Sequence, residues 1–232
     1  MHIPTINHLH TQQPVSPIRA AFEGLIGAGK STFLKLMAQH YPEVILTLQE
    51  PVEEWQRYKN PKTGMNVLET YYSDPQRWAF TFQMQTLMTR SELLRKHSYY
   101  QKVLYERSVY CDYKCFASML HDSGHIDDLE MTLYEQCYRI SVQQSYGILP
   151  THIIYLRADP ETCVQRVQER NRESSGENAI SLDYMTKLYD VHERVFDEKK
   201  CPFPVLTLDA QRDIRDPEVF QSMSRDILNF LQ

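Results

Sequence analysis

The eight residues Gly24-Leu25-Ile26-Gly27-Ala28-Gly29-Lys30-Ser31 follow directly on the run Ile18–Phe22. Their spacing, G-x-x-x-x-G-K-S, leaves few ways to fold. Glycines let a backbone wrap closely around an anion and aim successive N–H groups at its oxygens. Lys30 adds a point charge toward the outer phosphates, and the Ser31 hydroxyl is placed to ligate Mg²⁺. A helix starting at about Ser31 turns its positive end toward the same anion. The alternative is a plain Gly-rich turn, which the strand–loop–helix context disfavours. The motif predicts that the chain binds a nucleoside triphosphate.

The 232 residues suffice for one large domain with a full three-layer core, and 42% apolar with 24% charged residues is ordinary globular composition. A net charge of −5 argues against broad binding of nucleic acid or membrane. Cys111, Cys115, Cys137, Cys163 and Cys201 are odd in number and lack a C-x-x-C pair. They suggest neither a zinc site nor a disulfide framework, and point to a reducing compartment, the cytoplasm, with the nucleus left open. No apolar run reaches the ~18 residues of a membrane helix. Residues 1–17 carry no Lys or Arg and read as a flexible leader to a domain over 18–232.

Short apolar runs alternate with helix-like segments, as a parallel sheet requires. The expected strands are Ile18–Glu23, Val44–Gln49, Val103–Arg107, His152–Arg157 and Val205–Asp209. Helices are expected over Ser31–His40, Pro75–Tyr99, Asp128–Ser145, Pro160–Asn171, Leu182–Glu198 and Pro217–Leu231. The fold class is α/β: a five-stranded parallel sheet flanked by helices, three layers in all. Arg57–Asn66 reads as a loop covering the site, and Arg172–Ala179 as a lid, within a wider lid region of about 166–180.

Ligands gather at the carboxyl ends of parallel strands. Glu50 ends the second expected strand there, either as a carboxylate that takes or orients a hydroxyl proton or as a solvated strand-end acid. Glu106 and Arg107 end the third, where they could hold Mg²⁺ and phosphate or form a terminal ion pair. Arg166 and Arg170 share one helical face, with Arg172 at the lid's edge. They read as cations on a transferring phosphoryl group or as an exposed basic face. The aromatic-rich Tyr71–Gln83 is either a platform for a base, with Gln83 at its edge, or packing, the more so for Trp78 and Phe80.

Together these pieces resemble the deoxyribonucleoside kinase family, from Arg19 to Gln232. The resemblance is carried by Glu-Gly-Leu-Ile-Gly-Ala-Gly-Lys-Ser-Thr at 23–32, Gln-Glu-Pro-Val at 49–52 and Arg-Trp-Ala-Phe-Thr-Phe-Gln at 77–83. Glu-Arg-Ser-Val-Tyr-Cys-Asp at 106–112, Ile-Tyr-Leu-Arg-Ala-Asp-Pro-Glu-Thr-Cys at 154–163 and Leu-Thr-Leu-Asp at 206–209 complete it. It implies a P-loop kinase passing a phosphoryl group from ATP or another triphosphate to a nucleoside 5′-hydroxyl, as a homodimer paired through two long helices of each subunit. It implies Glu50 as base with Arg107 beside it, Ser31 and Glu106 at Mg²⁺, and Lys30, Arg166, Arg170 and Arg172 on the transferred group. The triphosphate would lie on Gly24 through Thr32, with its base against the turn bearing Asp209, Gln211 and Asp213. The nucleoside would meet Gln83, Phe82, Phe116, Val52, Trp55, Leu68 and Tyr71, with Tyr72 on its 3′-hydroxyl.

A second 3′-hydroxyl ligand depends on how a lid about two residues longer than the family's is aligned. Counting back from Tyr184 selects Glu177, which is favoured; counting forward from Arg172 meets Ser174 and Ser175, and Glu173 is a further option. Arg90 and Asp112 match the Arg–Asp pair of deoxycytidine- and purine-type members, which implies those substrates over thymidine. Thr86 departs from the family's smaller residue and narrows the pocket. Two rivals are a nucleoside monophosphate kinase, which would need extra cations at the acceptor, and a non-catalytic nucleotide-binding subunit.

Overall fold

The computed structural model describes residues 16–145, 147–170 and 175–232. Five strands, β1 Ile18–Glu23, β2 Leu46–Leu48, β3 Lys102–Glu106, β4 His152–Arg157 and β5 Val205–Asp209, form one sheet in the order β2-β3-β1-β4-β5. Every pairing is parallel, with Ala21 opposite Tyr105 on one side and Ile153 on the other. The expected α/β class and strand number hold. A central parallel strand is covered on both faces, which is why Ala20, Ala21 and Phe22 are wholly buried. Burying side chains such as Phe22, Phe33, Ile153 and Ile154 gains about 1.5–3 kcal/mol each for the larger ones.

The helices are α1 Lys30–His40, α2 Val52–Arg57, α3 Val67–Ser73, α4 Pro75–Lys96, α5 Val109–Cys111, α6 Ser118–Asp122, α7 Asp128–Gln144, α8 Pro160–Arg170, α9 Leu182–Val195 and α10 Pro217–Phe230. A π-helical stretch, Asp112–Ala117, joins α5 to α6, and a single 3₁₀ turn spans Glu177–Ala179. Most starts have a side-chain cause. Asn66 with Glu69 and Asp127 with Glu130 form reciprocal capping boxes, Asp74 caps α4 ahead of Pro75, Ser181 caps α9 and Asp216 caps α10. In contrast, α1 begins at Gly29 without a side-chain cap, which leaves its first N–H groups for another acceptor.

Differences from the sequence expectation have local reasons. Strand β2 is trimmed because Val44 and Ile45 donate their N–H groups to the Tyr41 carbonyl in a turn. Helix α9 stops at Val195, and Asp197 then accepts from Lys200 and Cys201 in a turn. The short helices α2, α3, α5 and α6 were not expected, each being too brief for a clear 3.6-residue period. Residues 1–15, most of the stretch expected as a leader, lie outside the described residues.

Candidate active site

The carboxyl ends of β1, β2 and β3 and the start of α1 open on one cavity of about 610 Å³. Its donor-facing wall includes Ile26, Gly27, Gly29, Lys30, Ser31 and Thr32. Gly24, Leu25 and Ala28 do not line it; they form the buried rear of the loop. A Cβ on Gly27 would stand 2.5 Å from the Cys163 carbonyl oxygen, and the residue holds φ +90°, so the loop can close against α8 only with glycine there. Lys30 donates to the carbonyls of Gly24 at 3.1 Å and Leu25 at 2.8 Å. The ammonium thereby braces the loop. Burial, aided by Arg107, lowers its pKa to about 8 against the pull of Glu106, Glu50 and Glu23.

Ser31 Oγ donates to Glu106 Oε1 at 2.8 Å. Two oxygen ligands thus meet at the loop, a donor set suited to a hard cation such as Mg²⁺.

Glu50 lies at the heart of the cavity. Its Oε1 accepts from Arg90 Nη2 at 2.9 Å and stands 3.4 Å from Arg107 Nε. Burial pushes the carboxyl up, but Arg90, Arg107 and Lys30 outweigh it and hold its pKa below the ordinary carboxylate value. Arg90 does more than sequence reasoning found. The same guanidinium donates to Asp112 through Nε at 2.7 Å and Nη2 at 3.3 Å, and to the Glu106 carbonyl through Nη1 at 2.7 Å. No sequence spacing links positions 50, 90 and 112; only the sheet and α4 bring them together.

Arg107 adopts φ 61°, and among the described residues it is the one non-glycine with a positive φ. Its N–H donates to the Phe22 carbonyl at 3.0 Å, and its guanidinium lies 4.6 Å from the centre of the Phe116 ring. Arg107 Nη1 and Gln83 Oε1 are buried without a hydrogen-bond partner. Such orphans in a polar cavity suit a polar ligand.

The acceptor-facing wall contains Val52, Trp55, Leu68, Tyr72, Phe82, Gln83, Thr86, Arg90, Asp112, Phe116 and Glu177. Trp55 Nε1 donates to Thr89 Oγ1 at 3.0 Å and its ring meets Phe82 edge-on, which fixes both rings. Tyr71 does not line the cavity but stacks behind Phe82 at 4.8 Å. The Thr86 hydroxyl donates to the Gln83 carbonyl, so its contribution to the pocket is bulk. Trp78 and Phe80 are outside the lining, in keeping with the packing alternative. The 58–66 loop is outside it too: the helices flanking it, α2 and α3, cover the site instead.

Arg166 and Arg170 line the cavity, whereas Arg172, Glu173 and Ser174 lie outside the described residues. Arg166 is committed to the turn after β5, donating to the carbonyls of Ala210 and Gln211 at 2.8 and 2.7 Å. Arg170 Nη2 pairs with Glu177 Oε2 at 2.6 Å, joining two residues expected to serve different substrates. Ser175 is buried and does not line the cavity. In the β5 turn Asp213 lines the cavity, while Asp209 accepts from the Gln211 N–H and the Gln211 side chain pairs with Asp159. Thr162, Gln165 and Glu169 also line the cavity. With Arg166 they follow the i, i+3, i+4, i+7 pattern of one helix face, a signal the sequence carried unread.

This geometry coincides with a match of residues 21–232 to the sequence model of the deoxynucleoside kinase family. The chain belongs to that family. A probable deoxycytidine kinase of Fowlpox virus is 35% identical over 88% of this deoxynucleoside kinase and 83% of its own length. The mitochondrial deoxyguanosine kinase of Xenopus laevis is 32% identical over 90% and 87%, and the deoxycytidine kinase of Homo sapiens 33% over 92% and 90%. The kinase phosphorylates nucleosides for salvage, using a nucleotide as phosphate donor. The monophosphate-kinase and non-catalytic readings therefore fall away. Among the described residues no helix is long and apolar enough to cross a membrane.

Proposed function

We propose that this deoxynucleoside kinase transfers the γ-phosphoryl group of ATP or another nucleoside triphosphate to a deoxyribonucleoside 5′-hydroxyl, favouring deoxycytidine and deoxypurines over thymidine. The observation that carries the reading is the Arg90 fork, which holds Asp112 beside the acceptor pocket and Glu50 at its inner end. Asp112, kept in place by Arg90, accepts an exocyclic amino proton, and the pair occupies the space a thymine methyl would need. The names of the relatives, deoxycytidine and deoxyguanosine kinases, support the same bases.

Gln83 reads the base edge between Phe82 and Phe116, while Tyr72 and Glu177 hold the sugar 3′-hydroxyl. Glu50, kept ionised, takes the proton of the attacking hydroxyl, and Arg107 holds that hydroxyl in reach. The α1 N-terminal N–H groups, Lys30 and the arginines of α8 and the lid stabilise charge on the transferred group. Ser31 and Glu106 would hold Mg²⁺, which when bound neutralises charge on the donor phosphates. The turn bearing Asp209, Gln211 and Asp213 contacts the donor base.

Exposed Met88 on α4 and Leu129, Leu133 and Ile140 on α7 support a homodimer through these helices. Free cysteines support a reducing compartment, the cytosol.

The test is a steady-state comparison of the four deoxynucleosides, together with Glu50→Gln. A kcat/KM ratio above one for deoxycytidine over thymidine is expected; the reverse order overturns the base assignment. Glu50→Gln keeps triphosphate affinity and loses about 10²–10⁴ in kcat, and an unchanged rate removes Glu50 from proton handling.

A further inference from the structure

Behind Phe116 of the acceptor pocket, Cys111, Cys115 and His192 converge with their ligand atoms all within 4.8 Å of one another. All three residues are buried. Cys111 ends α5, Cys115 lies in the π-helical stretch and His192 comes from α9, so two separate segments supply the atoms. Cys111 Sγ and His192 Nε2 are 3.7 Å apart. Sulfur and nitrogen bound to one tetrahedral zinc stand about 3.6 Å apart, from bonds of ~2.3 and ~2.05 Å. The separation already matches.

The imidazole is oriented for the task. His192 Nδ1 is 2.8 Å from the Leu188 carbonyl, which can only accept, so the ring proton sits on Nδ1. The Nε2 lone pair is then left facing the thiols. Metal-ligating histidines are commonly fixed by this arrangement, a backbone carbonyl on the far nitrogen. The π-turn supports the pair of sulfurs, since residues four apart remain close to one face of the wider helix. Beside Cys111 lies the wholly buried Glu23 carboxyl, whose Oε1 accepts from Ser108 and which also hydrogen-bonds Cys111; burial pushes its pKa up to about 7.

We propose that Cys111, Cys115 and His192 bind a single borderline-soft divalent cation of the zinc class, at a site separate from the Ser31–Glu106 pair. Binding converts both thiols to thiolates, forms two metal–sulfur bonds and one metal–nitrogen bond, and releases two protons to solvent. Two thiolates neutralise a divalent charge, which matters in a site sealed from water. Soft ligands of this kind exclude Mg²⁺, the ion suited to the oxygen pair at the loop.

The site would tie α9 to the stretch that carries Asp112 and Phe116. The Phe116 ring meets His192 edge-on at 6.0 Å, so the pinned imidazole also backs the wall of the acceptor pocket. The inference stands apart from the proposed base preference.

The experiment titrates chelator-treated full-length protein with Zn²⁺ and with Co²⁺. One equivalent per chain, a cobalt–thiolate charge-transfer band and a higher Tm with zinc are expected. The Cys111→Ser/Cys115→Ser double variant should lose the band and about 100-fold or more in zinc affinity, since removing even an outer partner of a ligand costs about 10–100-fold. Cys137→Ser/Cys201→Ser should keep both. Zinc-edge X-ray absorption on the wild-type protein reads the ligands without any variant, and should return two sulfurs and at least one nitrogen. Absence of tight binding, a shell of only oxygen and nitrogen, or a double variant that binds as the wild type does would overturn the proposal.

Discussion

Arg90 and Glu50, forty positions apart, meet through a 2.9 Å charge-assisted hydrogen bond inside the cavity, while the same guanidinium grips Asp112 at 2.7 Å. One side chain therefore serves both the group proposed to read the base and the group proposed to handle the proton. The coupling has a sign. Arg90, Arg107 and Lys30 hold Glu50 below its ordinary pKa, so removing Arg90 raises it. A base that works as carboxylate loses activity as pH falls through its pKa, and the acidic limb of the kcat profile of Arg90→Met should move to higher pH. The same variant should gain thymidine turnover relative to deoxycytidine. It also leaves buried Asp112 unpaired, at a cost of about 3–5 kcal/mol, which the double variant Arg90→Met/Asp112→Ala should partly restore in a thermal melt.

Lys30 gives a pH dependence at the other end of the scale. Its pKa in the ligand-free protein is lowered to about 8, chiefly by burial, and a bound triphosphate raises it. Donor affinity is then complete below that pH and falls by up to about tenfold per pH unit above it, until the pKa of the complex is reached. Calorimetric titration of ATP between about pH 7 and 10 checks this, and Lys30→Met should flatten the curve at low affinity.

Gln83 separates acceptor from donor. Its buried Oε1 lacks a protein partner, so Gln83→Leu should leave folding and triphosphate affinity near the wild type. Losing a hydrogen bond to the base costs about 1–3 kcal/mol, read as a roughly five- to 150-fold fall in kcat/KM for the nucleoside. Equal losses for both substrates would contradict the assignment.

Gly27 tests the loop itself. The Cβ of Gly27→Ala would stand 2.5 Å from the Cys163 carbonyl, at φ +90°. The loop must back away from α8, and donor affinity should fall while nucleoside affinity changes little. Equilibrium binding of each substrate alone distinguishes this from general unfolding.

The loop at 24–31 and the five strands were readable from local spacing, and the Arg90–Asp112 pair through the family resemblance; the strand order was not, because it depends on long-range pairing. A G-x-x-x-x-G-K-S loop between a strand and a helix is built to wrap phosphate, and short apolar runs alternating with helices pair in parallel. The Arg90–Glu50 contact was not readable, because it depends on where β2 ends relative to the fifth turn of α4. Nor was the Arg170–Glu177 pair, which joins the end of α8 to the 3₁₀ turn at Glu177–Ala179. Short helices such as α3 escaped for a different reason: their capping signals are local, but six or seven residues carry too little periodicity.

The backbone at Arg107 bears on how this enzyme can change. A left-handed conformation costs a branched or long side chain about 1–3 kcal/mol, and glycine none of it. Selection for heat resistance alone would therefore push position 107 toward glycine or asparagine. Selection for turnover would hold the guanidinium beside Glu50. Libraries screened for stability without an activity check should collect replacements at this position, and the enzymes recovered would melt later and work more slowly.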